Sequence, residues 1–250
     1  MSVVFLTALG VGGATVIGAL VGFLFKDISH KFSNLIVSFA AGIMLSAAVL
    51  GLIFPSIEYG GRFGVIIAVL GILIGGVCIN LSDRLVPHIQ KIAIRGNGAG
   101  AEHKKAHGIL LFVIAIGIHN LPEGIAAGVG FGSGDMENAI LIAAGIALHN
   151  IPEGMVIIAP MLAAGISPKK TFLFALITGF AEVVGTVVGF FAVSFASAIL
   201  PFALAFAGGT MLYVISEEMI PETHALGDEA RVTYAFLCGF CVMLLLDAVM

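Results

Sequence analysis

The amino-acid sequence predicts an all-α integral membrane protein, a bundle of eight transmembrane helices with both termini outside. Of its 250 residues 60% are hydrophobic and only 10% are charged, whereas soluble domains carry about 25% charged residues. The apolar residues form eight runs, most of them close to the roughly 20 residues that a helical span needs. These runs are continuous rather than alternating, which excludes a β-barrel, and helices satisfy their backbone groups internally.

The eight predicted spans form a single domain over residues 1–250. Their predicted ranges are 3–25, 33–55, 63–81, 107–131, 137–161, 171–195, 198–221 and 232–249. A cytoplasmic loop over 82–106 separates helix 3 from helix 4. Its core, "RGNGAGAEHKK", has the composition of a flexible linker.

Lysine and arginine define the predicted orientation. With both termini outside, the outer loops hold only Arg62, and the other ten of the 11 basic residues lie in the inner loops. Cytoplasmic loops of membrane proteins are enriched in these residues. The asymmetry therefore supports both the number of helices and their direction.

Two copies of one polar motif interrupt the apolar runs of helices 4 and 5. "HNLPEG" occupies 119–124 and "HNIPEG" occupies 149–154. Within a helix, His119 and Glu123 are four residues apart and share a face, as do His149 and Glu153. The proline of each motif has no N–H, so it frees a backbone carbonyl and kinks the helix. Ionisable residues inside a membrane are costly and usually functional.

Imidazole and carboxylate side chains together suit zinc, iron, manganese and similar divalent cations. Two facing carboxylates repel each other in an apolar environment, and a dication resolves that repulsion. The alternative is that the polar side chains only bridge two kinked helices. The repetition of the six-residue pattern, with five positions identical, favours a metal site instead.

Two further residues are candidate ligands. In "TGFAEVVGTVVGF" on helix 6, Glu182 shares a face with Thr178, Gly185 and Gly189, and a small-residue face allows close packing. Glu182 is thus presented to a neighbouring helix. On helix 2, Met44 could offer a soft thioether ligand or could simply pack.

The paired motifs resemble those of the ZIP (Zrt-, Irt-like protein) divalent metal transporters, most nearly the GufA-like bacterial branch. "AAGIML" in helix 2 and "AGGTMLYVISEEMIPE" in helix 7 are similar to the same branch. The resemblance covers nearly the whole chain. It implies the plasma (inner) membrane of a bacterium or archaeon as the location.

The resemblance also implies an intramembrane site for two metals. The first would be held by Met44, His119, Glu123, His149 and Glu153. The second would be held by Asn120, Glu123, Asn150, Glu153 and Glu182. Some relatives have Gln-Asp in place of His149–Asn150, so the second set has one carboxylate fewer here.

An entrance at Glu58 and an exit near Glu217, Glu218 and Glu222 are likewise implied. So is an elevator-like slide of helices 1, 4, 5 and 6 against helices 2, 3, 7 and 8.

The predicted function is transport of divalent cations into the cytoplasm, with zinc first and iron, manganese or cadmium as other cargoes. The expected partners are metal ions and the lipid bilayer, and the small-residue faces are compatible with a homodimer. No organic cofactor, nucleic acid or enzymatic activity is expected. The alternatives are a metal-selective channel, which would use the same ligands, and an intramembrane metalloenzyme with Glu123 or Glu153 as general base.

Overall fold

The computed structural model describes residues 2–24, 29–95, 120–163, 165–224 and 229–249. Those residues form helices joined by short turns, and we number the helices α1 to α8 to match the eight predicted spans. They comprise α1 (Ser2–Leu24), α2 (His30–Ser46, continuing through Ala47–Ile53 to Phe54–Tyr59), α3 (Gly64–Arg95), α4 (120–132), α5 (Met136–Ala163), α6 (Pro168–Phe195), α7 (Leu200–Val214, continuing through Ile215–Met219 to Ile220–His224) and α8 (Glu229–Val249).

Seven helices in the described ranges are long and apolar enough to cross a membrane. The eighth, α4, is described only from residue 120, so its predicted start at 107 lies outside the described residues. The bundle carries large apolar side chains on its outside, such as Leu6, Phe195 and Leu245. This matches the sequence prediction of a multi-pass integral membrane protein.

One predicted boundary is wrong. The loop expected from residue 82 begins at least 13 residues later, because α3 continues as a helix to Arg95. Leu85, Ile89 and Ile92 recur at helical spacing in that stretch, so the helix persists after the hydropathy falls. Residues 96–106 of the predicted loop lie outside the described residues.

Local sequence signals start the helices. Ser29 caps α2 by accepting a hydrogen bond from the Phe32 N–H at 3.3 Å. At the start of α5, Asp135 Oδ1 accepts one from the Asn138 N–H at 3.1 Å. Proline occupies the first turn of α6 and of α7, where its missing N–H costs nothing.

Helices α2 and α7 each contain a π-helical stretch, Ala47–Ile53 and Ile215–Met219 respectively. Neither stretch is evident from the sequence. Each is followed within two residues by a proline, Pro55 or Pro221. Pro55 cannot donate to the Gly51 carbonyl four residues earlier, and Asn138 Nδ2 of α5 donates to that carbonyl instead, at 3.3 Å. π-helical turns are rare and are concentrated at functional sites.

The helices pack as two units. The polar unit consists of α1, α4, α5 and α6, and the frame unit consists of α2, α3, α7 and α8. Within the polar unit α1 packs along α5 and α6, and within the frame unit α3 packs along α7 and α8 along α2. This is the same division of helices that the family resemblance implied.

Glycines bring helix backbones together inside each unit. A Cβ on Gly128 of α4 would lie 2.0 Å from the Thr186 carbonyl oxygen of α6, and one on Gly42 of α2 would lie 2.0 Å from the Phe236 carbonyl oxygen of α8. Only glycine allows such an approach. Backbone atoms cannot rearrange to make room, so each unit is internally rigid.

At two glycines that face the other unit, the nearest atoms belong to side chains. A Cβ on Gly145 of α5 would meet the Met243 side chain of α8 at 2.8 Å, and one on Gly51 of α2 would meet the Ile142 side chain of α5 at 2.8 Å. Side chains can change rotamer, whereas backbones in contact cannot. The surface between the two units is therefore the more adaptable one.

Candidate metal centre

Helices α4 and α5 bring their repeated motifs together in the interior of the bundle. Glu123 Oε2 and His149 Nε2 lie 3.2 Å apart, and both side chains are buried. One ligand atom from each of Glu123, His149 and Glu153 lies within 4.8 Å of the others. Among the described residues, these three form a cluster that could hold a metal ion.

The tautomer of His149 follows from its neighbour. Its Nδ1 lies 3.1 Å from the Gly145 carbonyl oxygen on the preceding turn. A carbonyl oxygen can only accept, so Nδ1 carries the hydrogen of a neutral ring and Nε2 keeps a lone pair. That lone pair faces the Glu123 carboxylate, and either a proton or a cation between them removes the repulsion.

The geometry of this pair fits a zinc ion. In a tetrahedral site with bonds of about 2.0–2.1 Å, two ligand atoms lie about 3.3 Å apart. The observed 3.2 Å between Nε2 and Oε2 matches that value. A backbone carbonyl that orients a ligating imidazole through its other nitrogen is also a regular feature of zinc sites.

Unpartnered buried atoms mark the same place. Five buried side-chain oxygen or nitrogen atoms in the described part of the chain have no hydrogen-bond partner, and four of them belong to the two motifs. Those four are Asn120 Oδ1, Glu123 Oε2, His149 Nε2 and Asn150 Oδ1. Buried polar atoms are almost always satisfied. All four can act as electron-pair donors, the kind of atom that a bound cation satisfies.

Glu123 lies where the two units meet. A small cavity beside it is lined from the polar unit by Pro122 and Glu123. From the frame unit it is lined by Met44, Ile79, Thr210, Met211 and Val214. Met44 and Met211 are both about 1% exposed. The predicted candidate Met44 is thus placed beside Glu123, with a second methionine that the sequence analysis missed.

The signal for Met211 was present in the sequence. Gly-Ile-Met-Leu at 42–45 in α2 has a counterpart in Gly-Thr-Met-Leu at 209–212 in α7. The two methionines occupy the same position of this short pattern. Each is on a helix of the frame unit and each lines the cavity.

Glu182 forms a second cluster with the two asparagines of the motifs. Its Oε1 accepts hydrogen bonds from Thr15 Oγ1 at 2.6 Å and from Asn120 Nδ2 at 2.5 Å. Its Oε2 accepts one from Asn150 Nδ2. Glu182 is fully buried on α6, and the predicted face with Thr178, Gly185 and Gly189 is the buried face of that helix.

Thr15 was not predicted. It is the centre of a small-residue face on α1 that includes Gly12, Ala19 and Gly22, all buried. A single hydroxyl on such a face was the available signal. A lone threonine among small residues also fits ordinary close packing, so this signal is weak.

The remaining predicted residues are either undescribed or at the surface of the described structure. His119 lies outside the described residues. Glu58, Glu217 and Glu222 are exposed, and Glu218 is half-buried within the π-helical stretch of α7. Their predicted roles at an entrance and an exit stay predictions.

Comparison with known proteins finds zinc transporters in each case. Residues 98–247 match the family model described as "ZIP Zinc transporter". The chain is 37% identical over 242 residues to the zinc transporter GufA of Myxococcus xanthus, covering 94% of both chains. It is 31% identical to the human zinc transporter ZIP11, covering 94% of this chain and 93% of that one. It is 32% identical to the zinc transporter ZIPB of Bordetella bronchiseptica, covering 94% and 77%.

These relatives are named as transporters and not as enzymes, which sets aside the alternative of an intramembrane metalloenzyme. The bacterial relatives, together with the seven spans of the described ranges, support a multi-pass protein of the bacterial inner membrane.

Proposed function

The chain belongs to the ZIP family of zinc transporters, and from that premise we propose that it carries zinc into the cytoplasm through the centre at Glu123, His149 and Glu153. Transport of divalent metal ions follows from the family. The identity of the cargo, the direction and the ligands are our proposal. Iron, manganese and cadmium are secondary cargoes that the same ligand types accept.

One observation supports the ligand assignment above the others. Glu123 and His149 meet at 3.2 Å inside an apolar bundle, with unpartnered lone pairs facing each other. No lysine or arginine lies in the predicted spans to neutralise the carboxylates. A dication supplies that charge, and Glu153 completes three ligands on two helices of one rigid unit.

His119 and Met44 would complete the coordination. His119 precedes Asn120 in the first motif and corresponds to His149 in the second. Met44 approaches from the frame unit through the cavity beside Glu123. A ligand set that draws on both units would form and break as the units move.

Movement of the polar unit against the frame unit is our proposal for alternating access. Backbones are in contact within each unit, whereas at Gly51 and Gly145 the nearest atoms of the other unit belong to side chains that can change rotamer. The metal ligands of α4 and α5 would then move as one body past Met44 and Met211. The lysine and arginine asymmetry places the end of α7 that carries Glu217, Glu218 and Glu222 on the cytoplasmic side, where these carboxylates would receive the ion.

Uptake of radioactive zinc by proteoliposomes tests the proposal. We expect saturable uptake by the wild-type protein and a loss of at least about 100-fold for Glu123→Ala and His149→Ala, since each removes a charged or nitrogen ligand. Glu229→Gln, an exposed carboxylate in the first turn of α8, is the matched control and should transport normally.

Unchanged uptake by both site variants would refute the ligand assignment. Uptake that rises linearly with zinc concentration, without saturation, would favour the metal-selective channel over a carrier.

A further inference from the structure

Glu182 is bound by donors from three helices at once. Thr15 of α1, Asn120 of α4 and Asn150 of α5 all donate hydrogen bonds to its carboxylate on α6. All four side chains are at least 98% buried. Every helix of the polar unit therefore contributes one member of this cluster.

The carboxylate fixes the direction of both amides. A carboxylate accepts hydrogen bonds and has no hydrogen to give, so each asparagine must present its Nδ2 to Glu182. The Asn150 amide is fixed further, because its Nδ2 also donates to the Val11 carbonyl oxygen at 3.3 Å. Consequently Asn120 Oδ1 and Asn150 Oδ1 point away from Glu182, and both are buried without a partner.

We propose that Glu182 is a positioning residue and not a metal ligand, that Thr15 holds it in place, and that the centre consequently carries one zinc ion at a time. Glu182 orients the Asn120 and Asn150 amides so that their oxygens are available to the cation. This assignment rests on the proposed function, because the ion to which the amide oxygens would be presented is the transported zinc.

The hydrogen bonds leave Glu182 little capacity for a metal. Its Oε1 already accepts from two donors and its Oε2 from a third. A carboxylate has about four lone-pair positions, so three of them are occupied and only one, on Oε2, is left. Carboxylates that orient ligands through hydrogen bonds are a recurrent part of metal sites, and their loss costs 10-fold to 100-fold in affinity.

The backbone of Thr15 is held in place by close packing. Its backbone oxygen lies against α5, where a Cβ on Gly154 would be 2.1 Å away. Gly154 directly follows Glu153 of the second motif. The hydroxyl that holds Glu182 is therefore anchored to the same turn that carries a proposed ligand.

The test measures zinc binding to the purified full-length protein in detergent by titration calorimetry, alongside zinc uptake by proteoliposomes. We expect one zinc ion per wild-type chain. Thr15→Val should weaken zinc binding about 10-fold and raise the KM for uptake, since it removes the hydroxyl without altering any proposed ligand. Thr15→Ser keeps the hydroxyl and should restore most of the affinity.

Thr178→Val is the matched control. Thr178 is a buried threonine on α6, one turn before Glu182, and its hydroxyl donates only within its own helix, to the Ala175 carbonyl oxygen at 3.0 Å. We expect its zinc affinity to equal that of the wild type. A loss as large as that of Thr15→Val would show that any buried hydroxyl matters, and would overturn the specific role of Thr15.

Stoichiometry separates positioning from ligation, including the case in which Thr15→Val fails to fold. A positioning role predicts that Glu182→Gln still binds one zinc ion, about 10-fold more weakly. Two ions on the wild type and one ion of unchanged affinity on Glu182→Gln would make Glu182 a ligand of a second metal and refute the proposal. Absence of zinc binding by the folded wild type would instead refute the proposed function itself.

Discussion

The polar unit and the frame unit are both built from long apolar helices, yet they bury different side chains. The buried ionisable groups of the described residues, Glu123, His149 and Glu182, all lie in the polar unit. Among the frame-unit side chains that the structure describes, the buried polar ones are the hydroxyls Ser38, Ser46, Ser56, Thr210 and Thr223. Hydroxyls can be satisfied by a nearby backbone carbonyl, as Ser38 is by Val232 at 2.6 Å, whereas charged groups need a counterion.

This difference shows that the two rigid units are held together by different kinds of side chain. The frame unit ties its helices together with side-chain hydrogen bonds to backbone, such as Ser56 to the Pro201 carbonyl at 2.6 Å. The polar unit ties its helices together through Glu182. The cost of burying these charges is thus confined to one rigid body, and the cavity beside Glu123 lies at its border with the other.

The largest expected effect comes from disturbing a backbone contact inside a unit. Gly128→Ala would place a Cβ 2.0 Å from the Thr186 carbonyl oxygen. We expect it to lower the free energy of unfolding by about 3 kcal/mol, since neither backbone can move away. Thermal unfolding in detergent micelles, with the yield of monodisperse protein, measures the loss.

Gly145→Ala is its counterpart between the units. Its Cβ would meet the end of the Met243 side chain at 2.8 Å and the Ala47 Cβ at 3.2 Å. The methionine can change rotamer, and Ala47 has to give way by only a few tenths of an ångström. We expect a loss below about 1 kcal/mol. Equal destabilisation by the two variants would show that the contacts between units are no softer than those within them.

Stabilisation by zinc should be the next largest effect. A ligand at 100 times its Kd stabilises the folded state by about 2.7 kcal/mol, so zinc should raise the Tm of the wild-type protein. His149→Ala removes a ligand and should abolish that shift. The comparison uses the zinc-induced shift of each variant, so a change in basal stability does not affect it.

Glu229→Gln serves as the control for this measurement and should keep the full shift. A full shift in His149→Ala would place the stabilising zinc outside the centre.

A smaller effect should come from the frame unit's contribution to selectivity. Thioethers are soft ligands that favour soft cations, so Met44→Leu should lower the preference for cadmium over zinc about fivefold, which corresponds to about 1 kcal/mol. Leucine conserves the volume and should cost little stability. Competition between the two metals in proteoliposome uptake measures the preference.

Met211→Leu is the comparison variant, since Met211 is equally buried and lines the same cavity from α7. An equal effect from both variants would show that the preference for cadmium comes from both thioethers and not from Met44 alone. No effect from Met44→Leu would make its role one of packing.

Some features could be read from the chain because they depend on local periodicity. The spacing of Thr178, Glu182, Gly185 and Gly189 predicted the buried face of α6, and the structure confirms it. The end of α3 was placed wrongly, since hydropathy reports where lipid ends and not where a helix ends. The π-helical stretches of α2 and α7 were missed because a change in hydrogen-bond register leaves no periodic signal of its own.

By itself, the sequence determined the chemistry: an apolar all-helical chain with two copies of a histidine–asparagine–proline–glutamate motif, which are side chains suited to a divalent cation. Only the tertiary structure decided which of those side chains meet. It paired Glu123 with His149 at 3.2 Å, and it directed hydrogen bonds from Thr15, Asn120 and Asn150 to Glu182. The physical reason is distance along the chain. Thr15 and Glu182 are 167 residues apart, so no local pattern could connect them, and their contact depends on how α1 packs against α6.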